Sequence, residues 1–310
     1  MANIAKNTVF LHDAKMGLGA WSWGDRVIWN YGHGYNDQDI AGAFNASVDG
    51  GVNFIDTAEV YGSGRSETML GQFIKSTDRP VIVSTKFMPY PWRIGKKALR
   101  NALKRSLDRL GISKIDLYQI HWPFPPTPVE VWAEALAEIY QDGLTRAVGV
   151  SNYDINQMLR SITILEKYTI PLASNQVEYH LLNRKVEKNG LFDLCKERGI
   201  RLIAYSPLAK GLLTGKYTPE TPPPGVRGRT SAVFLKEIKP LIGLLTEIGK
   251  SHEQKTSGQV ALNWLMCKGA LPIPGAKTAL QANQNLDALG WQLTDTEVKA
   301  LDAASDKFTN

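Results

Sequence analysis

Four side chains able to hold or transfer a proton follow three successive apolar runs of the sequence. Asp56, Lys86 and His121 each end one of these runs, and Tyr61 lies in the loop after the first. A tyrosine is a weak acid near neutral pH because its ordinary pKa is about 10. It becomes useful when a neighbouring cation favours the phenolate, and Lys86 is such a cation. The sequence therefore predicts an acid–base site built by three strand ends and one loop.

The elements that must position these side chains alternate along the chain. Strands are predicted near Met16–Gly19, ending at Asp56, and at Val81–Lys86, Ile115–His121, Ala147–Val150, Ala173–Val177, Arg201–Tyr205 and Leu271–Ile273. Helices are predicted over 37–50, 65–75, 95–110, 129–142, from 154, over 188–198, 238–252, 257–267 and 281–289, and after a capping box at 294–297. This alternation predicts a parallel sheet, and the strand count favours a (β/α)8 barrel. A short strand at Val9–Leu11 would seal its floor.

Seven phrases carry a family resemblance: N-F-I-D-T-A-E-V-Y-G (53–62), V-S-T-K (83–86), Y-Q-I-H-W (118–122), V-G-V-S-N (148–152), N-Q-V-E-Y (175–179), A-Y-S-P-L (204–208) and I-P-G-A-K-T (273–278). In this order the chain resembles an aldo-keto reductase. The resemblance implies a (β/α)8 TIM barrel that binds a nicotinamide cofactor without a Rossmann domain and reduces carbonyl compounds.

The resemblance also implies roles for the four acid–base residues. Tyr61 would donate its proton to the carbonyl oxygen as hydride arrives from the cofactor. Lys86 would lower the pKa of Tyr61, Asp56 would hold Lys86, and His121 would orient the carbonyl by a hydrogen bond.

Cofactor residues are implied by the same motifs. The resemblance assigns the nicotinamide carboxamide to Ser151, Asn152 and Gln176, ring stacking to Tyr205, and the pyrophosphate to Ser206, Leu208 and Lys216. Gly275 precedes the last barrel helix, whose N-terminal amides favour a phosphate. The 2′-phosphate of NADP(H) is assigned to Lys277 and Thr278, and the ribose phosphate and adenine to Gln281, Gln284 and Asn285. NADPH is expected over NADH because Lys277 supplies a charge that NADH does not need.

Aromatic loops are expected to wall the substrate pocket. Trp23, Trp92 and Trp122 occur in the loops after the first, third and fourth strands. Aromatic side chains are common in small-molecule pockets. For the rest of the first loop, 20–36, a self-packed structure is an equal alternative. A long irregular segment, 206–232, is expected to be functional or mobile.

Length and composition argue against several other classes of protein. Residues 1–310 are expected to form one domain, because single α/β barrels commonly reach this length. The net charge is +6 with a pI near 9.1, but Lys and Arg are scattered, so no nucleic-acid partner is expected. Cys195 and Cys267 are the two cysteines, too few for a disulfide scaffold or a cysteine zinc site. Without a signal-like or membrane-spanning run, a cytoplasmic protein without a membrane partner is expected.

Three other motifs are rejected. Residues 62–67 begin like a dinucleotide fingerprint, but Glu67 stands where close packing wants the third glycine. Residues 149–153 resemble a nucleophile elbow, but Tyr153 replaces its last glycine. His12, His33, His180 and His252 have no metal-ligand spacing, so no metal is expected.

Two functions remain open. The first is NADPH-dependent reduction of a small-molecule aldehyde or ketone. Residues 175–217, 222–229 and 259–265 look similar to plant pyridoxal reductases, which makes pyridoxal a candidate beside other small or aromatic aldehydes. The second is a cofactor-binding regulatory subunit, since the family also includes potassium-channel β subunits. The sequence leaves the substrate and the oligomeric state open.

Overall fold

The computed structural model describes residues 8–224 and 231–308. Within these ranges eight parallel strands form one sheet in chain order. They are β1 (Gly17–Gly19), β2 (Phe54–Asp56), β3 (Ile82–Phe87), β4 (Ile115–Ile120), β5 (Thr145–Ser151), β6 (Leu172–Glu178), β7 (Arg201–Tyr205) and β8 (Leu271–Pro272). A parallel bridge between Gly19 and Gly275 brings the two edges of the sheet together. The predicted (β/α)8 barrel is confirmed.

Helices follow the strands and cover the sheet. They are α1 (Val9–Asp13), α2 (Asp37–Asp49), α3 (Arg65–Lys75), α4 (Lys96–Leu110), α5 (Val129–Gln141), α6 (Ile155–Glu166), α7 (Lys185–Lys188), α8 (Leu191–Arg198), α9 (Ala232–Ser251), α10 (Ser257–Cys267), α11 (Ala279–Leu286) and α12 (Asp295–Ser305). Short 3₁₀ turns cover Tyr61–Gly64 and Ala209–Thr214.

Helix α4 shows why these segments become helical and pack inward. Its buried residues Leu99, Ala102, Leu103 and Leu110 recur at helical spacing and give one apolar face. The helix ends at Gly111, whose φ of 65° is the left-handed conformation that glycine adopts without strain. Each helix of this kind returns the chain to the amino end of the barrel, so all eight strands deliver their last residues to one rim.

The amino end of the barrel is closed by α1. The prediction of a strand at Val9–Leu11 is wrong, because the segment forms a helix. Phe10 and Leu11 are buried against inward residues of the strands, among them Phe54, Leu117 and Ile203. A single turn of helix can direct two adjacent apolar side chains at the floor of the barrel. Among the described residues, no strand pairs with this segment.

Other boundaries differ for local reasons. Helix α2 is capped by Asn36, whose side chain accepts hydrogen bonds from the backbone amides of Gln38 and Asp39. The helix predicted over 188–198 is divided at Gly190, which has a φ of 79°. Helix α9 begins at Ala232, before the predicted 238. The capping box of Thr294 and Glu297 is confirmed.

Two predictions reach beyond the described residues. Residues 225–230 of the 206–232 segment lie outside them, and so do residues 225–229 of the phrase 222–229. The single-domain prediction covers 1–310, including residues outside the described ranges, and stays a prediction.

Candidate active site

A cavity of about 770 Å³ opens at the carboxyl end of the barrel. Most of the predicted site residues line it: Asp56, Tyr61, His121, Trp122, Ser151, Asn152, Gln176, Tyr205, Ser206, Leu208, Lys216, Gly275, Lys277, Gln281, Gln284 and Asn285. Lys86, Thr278, Trp23 and Trp92 do not. One volume therefore brings together residues from strands that are far apart in the sequence.

Lys86 lies beneath the cavity and joins Asp56 to Tyr61. Its Nζ donates to Asp56 Oδ2 at 2.5 Å, to the Thr57 carbonyl at 2.8 Å and to Tyr61 Oη at 3.3 Å. Lys86 is fully buried and Asp56 is 2% exposed. The pairing of β2 with β3 sets Asp56 opposite Ser84, so Lys86, two residues further on, reaches the same rim. A buried charge is stable only when paired and hydrogen-bonded, and all three acceptors are present.

Tyr61 and His121 face one another above this pair. Their ring centroids are 5.7 Å apart and the rings are nearly perpendicular. Tyr61 begins the 3₁₀ turn after β2, and Gly62 there has a φ of 54° and room for no side chain, since a Cβ would lie 2.9 Å from the Gly24 carbonyl. His121 follows β4, and its backbone amide donates to the Phe87 carbonyl.

Burial dominates the electrostatics of the site. It raises the pKa of Tyr61 above the ordinary value, although Lys86 acts to lower it. The expected lowering of the Tyr61 pKa by Lys86 is present, but desolvation of the phenolate outweighs it, so the net pKa is raised. Burial also opposes the charge of Lys86, but Asp56 reverses this and its pKa is raised. Burial and Lys86 together lower the pKa of His121 well below its usual value. At neutral pH the site holds a protonated phenol, an ammonium and a neutral imidazole.

A set of amide and hydroxyl groups surrounds Tyr205 beside this cluster. The Tyr205 hydroxyl donates to Asn152 Oδ1 at 3.0 Å. Asn152 Nδ2 donates to the His121 carbonyl and to Ser151 Oγ, and Ser151 Oγ donates to the Gln176 carbonyl. Gln176 Nε2 donates to Asp56 Oδ1 at 2.8 Å. These side chains are held in place by one another, with the Tyr205 ring on the cavity wall.

The far end of the cavity lies at the start of α11. Lys277 Nζ donates to the Trp29 carbonyl and lies 4.3 Å from the Tyr35 ring centroid. The Thr278 hydroxyl caps α11 by accepting from the Gln281 amide, and its assignment to the 2′-phosphate stays a prediction.

Two of the three predicted pocket tryptophans lie elsewhere. Trp23 is fully buried, and its indole N–H donates to the Ala276 carbonyl while its ring packs on Phe73. It supports the rim from within the core. Trp92 is 73% exposed and stacks on Tyr90 outside the cavity. Trp122 does line the cavity and stacks on Phe124.

Sequence reasoning missed several lining residues. Trp21 lies against Tyr61, with centroids 6.3 Å apart, and meets Trp29 edge to face. Met88 and Glu178 also line the cavity. Glu178 is the last residue of β6, so the strand-end argument that found Asp56 could have found it. Nothing in the sequence distinguishes Trp21 from Trp23, because the turn that separates them is irregular.

Two features are absent from residues 8–224 and 231–308. No helix there has the length and apolar character needed to cross a membrane. In the same residues no cluster of His, Cys, Asp and Glu has the geometry to hold a metal ion. A cytoplasmic location stays a prediction.

Comparison with known proteins gives consistent matches. The family model described as "Aldo/keto reductase family" matches residues 15–306. The chain is 41% identical to a chloroplastic pyridoxal reductase of Arabidopsis thaliana, over 94% of this chain and 82% of the relative. It is 30% identical to L-glyceraldehyde 3-phosphate reductase of Escherichia coli K12, over 94% and 92%.

The fold also matches those of solved structures. A glycerol dehydrogenase from Gluconobacter oxydans superposes with a TM-score of 0.83 at 29% identity, over 95% of this chain and 92% of the other. An aldo/keto reductase from Klebsiella pneumoniae in complex with NADP and acetate gives 0.73 at 28% identity, over 93% and 90%. This chain belongs to the aldo/keto reductase family and is an oxidoreductase that acts on carbonyl groups.

Proposed function

We propose that this protein reduces aldehydes to alcohols with NADPH and that Tyr61 is the general acid. The observation that carries the proposal is the buried Asp56–Lys86 pair, whose ammonium reaches Tyr61 Oη at 3.3 Å where the phenol meets the cavity. A phenol placed between an ammonium and an open cavity can give up its proton to a bound acceptor.

The donor set of the cavity fits a nicotinamide dinucleotide phosphate. Amide and hydroxyl groups of Ser151, Asn152 and Gln176 lie near Tyr61 and suit a carboxamide. Tyr205 offers a ring face beside them, Lys216 suits a pyrophosphate, and Lys277 suits a further phosphate. The volume lies within the range of small-molecule and cofactor pockets. A complex of the Klebsiella relative with NADP supports the same cofactor here.

The cofactor and the protein supply different parts of the reaction. NADPH, when bound, supplies the hydride. Tyr61 Oη donates its proton to the carbonyl oxygen, and the phenolate left behind is stabilised by the Lys86 ammonium. His121, neutral at working pH, donates a ring N–H to the same oxygen and orients it. Asp56 holds Lys86 at the position from which its ammonium stabilises the Tyr61 phenolate.

Pyridoxal is our candidate substrate. The cavity wall around Tyr61 carries Trp21 and Trp122, whose rings suit a flat aromatic aldehyde. Similarity to the Arabidopsis pyridoxal reductase over 94% of this chain supports this choice. Other small or aromatic aldehydes belong to the same chemical class.

The test is oxidation of NADPH with an aldehyde panel that includes pyridoxal, in wild type and Tyr61→Phe. Since general acids contribute about 10²- to 10⁴-fold, we expect Tyr61→Phe to lower kcat by that order while NADPH binding is kept. Equal activity of the two proteins would overturn the assignment of Tyr61. Binding of NADPH without turnover of any aldehyde by wild type would favour the regulatory alternative.

A further inference from the structure

A layer of polar side chains crosses the interior of the barrel below the active site. Ser84, Gln119 and Ser174 point inward from β3, β4 and β6 and are fully buried. Barrel interiors of this type are usually filled by branched apolar residues. Buried polar groups carry a desolvation cost that only hydrogen bonds offset, so a polar layer at this position needs an explanation.

The layer forms a hydrogen-bond chain that ends on Asp56. Ser174 Oγ donates to Gln119 Oε1 at 3.2 Å, and Gln119 Nε2 donates to Ser84 Oγ at 3.0 Å. Ser84 Oγ donates to Asp56 Oδ1 at 2.9 Å. An amide N–H can only donate, so Ser84 must accept from Gln119 and direct its own proton to the carboxylate. The hydrogen bonds therefore run in one direction, from Ser174 towards the Asp56 carboxylate.

The backbone beside this chain leaves room for it. Gly149 of β5 stands between Gln119 and Ser174 in the strand registers. A Cβ at Gly149 would lie 2.2 Å from Ser174 Oγ and 3.1 Å from Gln119 Cγ. The absent side chain on β5 thus lets the side chains of β4 and β6 meet across it.

We propose that Ser84, Gln119 and Ser174 are positioning residues that orient Asp56 for catalysis. The proposal rests on the proposed function, because it acts through Lys86 on Tyr61. Asp56 Oδ1 is held from the barrel interior by Ser84 and from the cavity by Gln176. These two bonds leave Oδ2 directed at Lys86 Nζ. Without Gln119, the Ser84 hydroxyl loses its donor and is able to rotate away from the carboxylate.

The expected consequence is a change in the pKa of Tyr61 rather than in the affinity for NADPH. The charge of Asp56 acts to raise the pKa of Tyr61, but Lys86 lowers it by more. When Asp56 no longer holds Lys86 beside Tyr61 Oη, the larger of these two effects weakens and the pKa of Tyr61 rises further. The titratable groups that face Tyr61 are those of Asp56, Lys86, His121 and Tyr205, and none of them is altered by the test variants.

The experiment compares Ser84→Ala and Gln119→Met with a matched control, Ser161→Ala. Ser161 is also buried, but it donates to the Gln157 carbonyl within α6. We expect the two layer variants to lower kcat by about ten- to a hundredfold, with the dissociation constant of NADPH unchanged. The alkaline limb of the kcat profile should move to higher pH. Ser84→Thr, which keeps the hydroxyl, should restore the wild-type profile.

A second readout does not need turnover. In protein labelled with ¹³C at tyrosine Cζ, the Tyr61 signal is assigned by its absence in Tyr61→Phe, and its titration is followed in each variant. We expect the midpoint to rise in Ser84→Ala and Gln119→Met, and less in Ser174→Ala, which keeps the Gln119–Ser84 bond. Unchanged midpoints in all three variants would overturn the proposal, even if kcat fell with the folded fraction. Because this titration is independent of aldehyde reduction, failure of the proposed function is seen separately.

Discussion

Gln176 donates a hydrogen bond from its side-chain amide to Asp56 Oδ1 across 2.8 Å, although 120 positions separate the two residues. Gln176 also lines the cavity beside Asn152. A residue proposed to bind the carboxamide of the cofactor therefore touches the carboxylate that holds Lys86. The proposed cofactor site and the acid–base cluster therefore share one side chain.

The first prediction uses this shared residue. Gln176→Leu should raise the dissociation constant of NADPH and also lower kcat, since it removes a donor from Asp56. Gln284→Ala, at the far end of the cavity, should affect the dissociation constant alone, by about tenfold or less for one lost hydrogen bond. Fluorescence titration with NADPH and steady-state kinetics separate the two. Identical kcat values in both variants would contradict the coupling.

The second prediction concerns the buried ion pair. Lys86→Met leaves Asp56 buried without its cation, and breaking such a pair costs about 3–5 kcal/mol. We expect a large drop in Tm together with loss of activity. Arg79→Met serves as the control, because its contact with Asp49 is exposed and 3.7 Å long, and should leave Tm nearly unchanged. Calorimetry of both variants gives the comparison. Equal Tm values would show that another group compensates the buried charge of Asp56.

The third prediction is the pH profile of aldehyde reduction. The raised pKa of Tyr61 keeps the phenol protonated to higher pH than a free tyrosine. The lowered pKa of His121 keeps the imidazole neutral well below its usual range. Reduction should therefore be flat across neutral pH and fall only on the alkaline side. An acidic limb near the ordinary pKa of histidine, about 6.5, that disappeared in His121→Asn would refute the neutral imidazole.

The fourth prediction separates two exposed-loop tryptophans. Trp21 lines the cavity against Tyr61, whereas Trp92 is 73% exposed outside it. Trp21→Ala should raise KM for pyridoxal by about two- to tenfold, since stacking on an aromatic ring contributes about 0.5–1.5 kcal/mol. Trp92→Ala should leave KM unchanged. A small aliphatic aldehyde measured beside pyridoxal shows whether the loss is specific to flat substrates.

The fifth prediction tests cofactor preference. Lys277→Met should weaken NADPH binding by about ten- to a hundredfold, because hydrogen bonds to charged groups contribute about 1.5–3 kcal/mol. NADH, which has no 2′-phosphate, should bind this variant as it binds wild type. Equal losses for both cofactors would place the role of Lys277 in the packing of Trp29 and Tyr35.

The sequence was sufficient for the acid–base cluster, because strand ends of a parallel barrel must meet at one rim. Asp56, Lys86 and His121 needed only the count of strands and the position where each run ends. Trp23 and Trp92 were misplaced because loop residues follow turn geometry, which sequence spacing does not determine. The net direction of the Tyr61 pKa depended on burial, which becomes measurable only in the folded chain.

The helix α1 that closes the barrel floor has a practical consequence. Phe10 and Leu11 anchor it at the amino end, while the cavity opens at the carboxyl end. A fusion partner or surface linker joined ahead of α1 starts from the side of the molecule away from the catalytic mouth. Immobilisation through that end should leave diffusion of aldehyde and cofactor unobstructed.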